Sequence, residues 1–192
     1  MVTYPNGGET LYTGYTHNLL WDWNVQSERN AKVTLYKGGS SDSVLSAATP
    51  NDGALHMGIA TNETAASDYK IRVESADSSA IYDESDANFT IATTALSVTA
   101  PDASTTRPPG STLEIRWTWT GPSGANIKLE LWKATSVNTV ISTGTLNDGA
   151  YDWTIPGGQA TDNDYKIRAY DTNSTNGTTI VADSATFSIE AL

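Results

Sequence analysis

This chain is written twice. Asn51-Asp52-Gly53 returns as Asn147-Asp148-Gly149, and Asp68-Tyr69-Lys70-Ile71-Arg72 returns as Asp164-Tyr165-Lys166-Ile167-Arg168, each 96 residues on, in a chain of 192. A duplication at half the length predicts two domains, with boundaries at 1–94 and 95–192. Whatever one copy folds into, the other must fold into as well.

The hydrophobic pattern of each copy has a period of two. His17, Leu19, Trp21 and Trp23 alternate with Asn18, Leu20 and Asp22; Leu113, Ile115, Trp117 and Trp119 alternate with Glu114, Arg116 and Thr118. Such alternation places one face of a strand in a core and the other in water. Val33 and Leu35 point inward with Lys32, Thr34 and Tyr36 outward; Ile127, Leu129 and Leu131 point inward with Lys128, Glu130 and Trp132 outward. Tyr151, Trp153 and Ile155 form a further inner row, as do Tyr69, Ile71 and Val73, and Phe89-Ile91 and Phe187-Ile189 close the copies. Turn residues punctuate the rows every 8–12 positions, and no helical periodicity runs for a useful length. The chain is therefore expected to be all-β: two tandem immunoglobulin-like antiparallel β-sandwiches, about seven strands each, a module of about 100 residues. Trp21 and Trp117 are expected at the centres of the cores.

Composition narrows the function. The net charge is −11, with twelve acids and five bases in the first copy and ten and six in the second. Nucleic-acid binding needs clustered Lys and Arg, so it is excluded as a partner class, and so is attraction to an anionic membrane. No apolar run is long enough to span a bilayer, so membrane insertion is not expected. With no cysteine, disulfides, thiolate metal sites and a thiol nucleophile are all ruled out. The sequence predicts no cofactor.

Candidate chemistry is sparse. His17 and His56 are the only histidines, and Leu113 and Asp152 stand at their places in the other copy. The acidic groups Asp83/Glu84/Asp86, Asp148/Asp152 and Asp162/Asp164 lie in or beside loops, where solvated Asp is common. A calcium site from Asp162, Asp164 and carbonyls would lack the usual alternating Asp array. No catalytic or metal site is expected. Tyr36 and Trp132 sit at matching outward positions beside the Lys and Arg of the next strand; they are candidates for glycan or protein contact, or else cover those basic stems. Asn62, Asn88, Asn173 and Asn176 open Asn-x-Ser/Thr glycosylation patterns.

The ordered motifs resemble the Ser/Thr-rich GPI-anchored membrane family, an immunoglobulin-like module of fungal cell-wall proteins also found in tandem in bacterial and archaeal surface proteins. The resemblance rests on Pro5-Asn6-Gly7-Gly8-Glu9, Leu35-Tyr36-Lys37-Gly38-Gly39, the two Asn-Asp-Gly turns, Tyr151-Asp152-Trp153-Thr154-Ile155-Pro156, the two Asp-Tyr-Lys-Ile-Arg strands and the closing Phe89-Thr90-Ile91. It implies a sandwich fold, an extracellular or cell-surface setting and a role without catalysis. The expected function is a structural or adhesive module acting in spacing and protein–protein contact, its partners other extracellular proteins or itself, with self-assembly into filaments by strand addition. A carbohydrate-binding module using Tyr36 and Trp132 against cell-wall polysaccharide is the alternative.

Overall fold

The computed structural model describes residues 1–23, 30–175 and 179–191, and the chain divides into two units, Met1–Thr93 and Thr94–Leu192. The first unit holds β1 (Val2–Tyr4), β2 (Thr10–Tyr12), β3 (Thr16–Trp21), β4 (Asn30–Lys37), β5 (Ser40–Pro50), β6 (Ala54–Gly58), β7 (Ala66–Ser75), β8 (Ser78–Glu84) and β9 (Phe89–Ala92). The second holds β10 (Ala95–Ala100), β11 (Thr106–Arg107), β12 (Thr112–Thr120), β13 (Asn126–Lys133), β14 (Ser136–Leu146), β15 (Ala150–Thr154), β16 (Asp162–Asp171), β17 (Val181–Asp183) and β18 (Phe187–Ile189). Among the described residues no helix is long and apolar enough to cross a membrane.

In the first unit a small sheet runs β1-β3-β6 and a large one β2-β9-β7-β4-β5, with β8 also on β7. The second unit repeats this as β10-β12-β15 and β11-β18-β16-β13-β14, with β17 on β16. All pairs are antiparallel except β2 on β9 and β11 on β18. Each unit is an immunoglobulin-like sandwich, and the expected inner rows form its core: Leu19, Trp21, Val33, Leu35, Tyr69, Ile71, Val73, Phe89 and Ile91 in the first, with their counterparts in the second.

Among the described residues each unit has nine strands where about seven were expected, because the first and last strands are each interrupted. The first leaves the small sheet at Pro5, turns through Asn6-Gly7-Gly8, and resumes as β2 on the large sheet. Gly7 is required there: its φ is +139°, and an added Cβ would lie 2.6 Å from the Ala87 Cβ. Glu9 clamps the turn by accepting the Asn6 and Gly7 amides at 2.9 and 2.7 Å. The second unit does the same job from another position, with Asp102 accepting the Ser104 amide at 3.0 Å and the Ser104 and Thr105 hydroxyls at 2.8 and 2.9 Å. The last strand breaks at Ser85 and Ser184, which lie in the gaps between β8 and β9 and between β17 and β18. Their hydroxyls accept the Ile71 and Ile167 amides at 3.0 and 2.9 Å, standing in for ladder carbonyls.

Two long-range ties explain the repeated motifs. The indole N–H of Trp21 donates to Asn51 Oδ1 at 2.8 Å, and that of Trp117 to Asn147 Oδ1 at 2.6 Å. Both Trp are 3 % exposed, so without that acceptor the indole N–H would be buried unpaired. The glycine of each turn serves the same contact: Gly53 and Gly149 have φ of +90° and +91°, their carbonyls accept the Trp21 and Trp117 amides, and a Cβ on Gly53 would come within 2.9 Å of the Trp21 carbonyl. The second tie is a tyrosine corner. Tyr69 and Tyr165 are fully buried, yet their hydroxyls reach back five residues to the Thr64 and Ala160 carbonyls at 2.6 and 2.9 Å. Their rings pack on Phe89 and Phe187 with centroids 6.0 and 6.3 Å apart.

Candidate functional site

The expected site residues lie on the outer face of each large sheet. Antiparallel register sets Tyr36 opposite Lys70 and Thr34 opposite Arg72, and in the second unit Trp132 opposite Lys166 and Glu130 opposite Arg168. Side chains of one face alternate along a strand, so diagonal neighbours meet as well. The Arg168 guanidinium lies 3.9 Å from the Trp132 ring centroid and the Lys166 ammonium 5.7 Å from it. Asp183 holds both cations, at 2.5 Å from Arg168 Nε and 2.7 Å from Lys166 Nζ. Arg168 pulls the Asp183 carboxyl below its ordinary range against the opposing effect of burial, and Lys166 adds to the pull.

Beneath this layer Glu130 is buried, and it accepts the Trp132 indole N–H and the Tyr170 hydroxyl, both at 2.8 Å, and pairs with Lys128 at 2.6 Å. Burial alone would raise its pKa; the bonds from Lys128, Trp132 and Tyr170 together outweigh burial and lower it. Trp132 is thus half-buried, cation-covered and fixed through its N–H. In the first unit Arg72 lies between the rings of Tyr36 and Tyr82, at 4.6 and 4.3 Å, and pairs with Glu84. Both aromatics do cover basic stems, and both retain exposed surface.

The acidic groups are tied to neighbouring structure. Asp83 accepts the Val2 amide at 2.6 Å, Asp86 accepts the Asn6 side-chain amide at 2.8 Å, and Asp162 pairs with Lys133 at 2.6 Å. Asp148 accepts the Ala150 amide at 3.3 Å, and the Asp164 carbonyl accepts the Ala134 amide at 3.2 Å. Asp152 faces Glu114 across the β12/β15 ladder. Among the described residues no three His, Asp or Glu side chains converge on a metal position. His17 Nε2 sits 3.1 Å from the Tyr12 amide nitrogen, and burial lowers its pKa against the raising effect of the Tyr12 backbone. His56 lies on the opposite face, 2.5 Å from the Asn18 side-chain oxygen, so the two imidazoles do not meet. Asn62, Asn88 and Asn173 are exposed, and the Asn173 side chain also accepts the Asn126 amide at 3.1 Å; Asn176 lies outside the described residues.

The strand edges differ in regularity. β5 and β14 each run eleven residues at the end of a large sheet, and each carries three register shifts against its partner. Every shift places an extra residue on the edge strand, which twists it and spoils its free ladder. β6 and β15 are five residues long, end the small sheets, and pair without a shift. In β15 the register turns the backbone groups of Asp152 and Thr154 away from β12, and in β6 it turns those of His56 away from β3.

The class is defined by these features: a switched first strand, a tyrosine corner and a core tryptophan where related domains carry a disulfide make each unit an immunoglobulin-like domain. Residues 100–189, within the second unit, match the family model of the Kre9/KNH-like N-terminal Ig-like domain. The first unit repeats the strand order of the second throughout. No curated protein matches the chain. Among solved structures, the fibronectin(III)-like modules of Clostridium thermocellum CbhA align at 15% identity and a TM-score of 0.31, over 96% of this chain and 92% of theirs. A chimeric titin Z1Z2 tandem aligns at 17% identity and a TM-score of 0.33, over 100% and 99%. Extracellular domains 3–5 of Drosophila OTK align at 12% identity and a TM-score of 0.34, over 93% and 61%.

Proposed function

We propose that this chain is a non-catalytic module of a cell-surface or secreted protein, acting as a spacer and in protein–protein contact. One observation carries the reading: the residues that recur between the copies are engaged in holding the sandwich, at the same places in both units. Trp21 and Trp117 bind their Asn turns, Tyr69 and Tyr165 close their corners, and Arg72 and Arg168 pair with acids on the outer face. Among the described residues no repeated nucleophile–base pair supports catalysis.

Contact with other proteins, including further copies of the chain, runs through the regular free edges. β6 and β15 offer unpaired backbone groups to an added antiparallel strand, whereas the bulges of β5 and β14 and the shortness of β2 and β11 disfavour addition there. Pairing β6 of one copy with β15 of the next is heterologous and builds an open chain of subunits. Sedimentation velocity over a concentration series tests this. The wild-type chain is expected to grow in size with concentration. Asp152→Pro and His56→Pro remove an outward edge N–H without touching the internal ladder, and they are expected to remain monomeric. A wild-type chain that stays monomeric throughout excludes self-assembly.

A further inference from the structure

The outer face of the first unit holds a pocket of about 250 Å³ between the end of β4, β7, β8 and the turn before β9. Drug-sized ligands occupy roughly 300–1,000 Å³, so this pocket suits a single ring with its substituents. Its lining includes Tyr36, Gly39, Asp68, Lys70, Glu84 and Asn88.

Three polar groups there are underused. Lys70 is half-buried, and among the described residues its ammonium has only the Asp86 carbonyl, at 3.4 Å, although acids outnumber bases 22 to 11. Its counterpart Lys166 is held by Asp183 at 2.7 Å. The Tyr36 hydroxyl and the Asn88 side-chain amide make no hydrogen bond among the described residues. The Tyr36 ring is nonetheless fixed, because the Arg72 guanidinium 4.6 Å away is itself anchored by Glu84. Asp68 and Glu84 each give one oxygen to a neighbouring cation, Lys37 and Arg72, and keep the other.

These groups define the ligand chemistry. An ammonium, an amide and a phenol donate, while carboxylate oxygens beside them accept. Asp68 and Glu84 repel an anion, and the polar lining disfavours an apolar guest. A sugar satisfies both sets, since each hydroxyl donates and accepts, and its ring can lie against an aromatic side chain. The second unit does not reproduce the site: Trp132, Ala134, Thr135 and Thr186 stand where Tyr36, Gly38, Gly39 and Asn88 stand, and Lys166 is already paired. We propose that the pocket is a subsite for one neutral pyranose residue of a saccharide, built in the first unit and closed in the second.

The test is an NMR titration of the full unglycosylated chain, because Asn88 itself opens a glycosylation pattern. The probes are methyl glycosides of glucose, galactose and mannose, their short oligosaccharides, and methyl glucuronide as the anionic control. A neutral sugar is expected to give saturable shifts at residues 36–39, 68–72 and 84–88. Lys70→Met, which keeps the stem and removes one charged hydrogen bond, should weaken binding about tenfold. Trp132→Ala should leave it unchanged, and the melting temperature of the Lys70 variant should match the wild type. Four results would overturn the assignment: no saturable shift with any neutral probe, shifts centred on the second unit, undiminished binding by Lys70→Met, or binding of the glucuronide alone.

Discussion

At the scale of single residues, the two copies give internal controls. Ala134 has a φ of 50°, the left-handed region, and Gly38 occupies the same place with a φ of 56°. A side chain there is strained by roughly 1–2 kcal/mol, partly offset by the entropy an added glycine brings to the unfolded chain. Ala134→Gly is therefore expected to stabilise the second unit by about 0.5–1 kcal/mol, read as a higher denaturation midpoint. Gly38→Ala should shift the first unit the other way. Ser184 makes a comparable point. Removing its hydroxyl leaves the Ile167 amide buried without an acceptor, so Ser184→Ala should cost about 1–3 kcal/mol. Much at this scale was legible from sequence, because the period of two fixed which face each Trp, Ile and Leu takes. The tyrosine corner and the Trp–Asn bonds were not, since periodicity reports burial and not the partner of a polar tip. A signal existed: Trp21 to Asn51 and Trp117 to Asn147 share one spacing of 30 residues.

At the scale of elements, the strands that sequence reading under-described are those that pair irregularly. The first strand changes sheets at Pro5, and the last breaks at Ser85, so neither shows an unbroken alternation. Their substitutes for ladder bonds come from Glu9, Asp102, Ser85 and Ser184, polar residues that a hydrophobic pattern passes over. The outer face was legible as a row of aromatics and bases. Its pocket was not, because it depends on Glu84 pairing with Arg72 and leaving Lys70, where its counterpart Asp183 holds both Arg168 and Lys166, and these acids lie on a different strand. Element-level energetics follow from the same contacts. Glu130 is buried beneath Trp132 and Tyr170, so Glu130→Ala leaves two donors and Lys128 without their acceptor; about 2–4 kcal/mol of stability should be lost, as measured by urea unfolding.

At the scale of the whole molecule, acid should unfold the chain, with different onsets in the two units. Glu9, Glu130 and Asp183 have lowered folded pKa values. Between the ordinary carboxylate range and those lowered values the unfolded chain binds protons that the folded chain does not, so stability present above that range is lost as pH falls. The lowered pKa of His17 acts with the same sign: its contribution is present above the ordinary imidazole value of 6.5 and is lost as pH falls from there through the folded value. The first unit is therefore expected to weaken in two stages and the second only in the carboxylate range. Chemical denaturation at stepped pH, followed by NMR signals assigned to each unit, would resolve the two onsets. His17→Gln should remove the earlier stage.

Whether the repeated motifs are fold or site is decided by a double-mutant cycle on Trp117 and Asn147 with its twin on Trp21 and Asn51. Asn147→Ala and Trp117→Phe are each followed by denaturant unfolding, singly and together. The predicted result is a loss of about 1–3 kcal/mol for Asn147→Ala, coupled to Trp117 by roughly 0.5–3 kcal/mol, with the same pattern in the first unit. Unchanged stability, or a zero coupling energy in both units, would contradict a role in the fold and return the Asn-Asp-Gly turns to the surface as candidate binding residues.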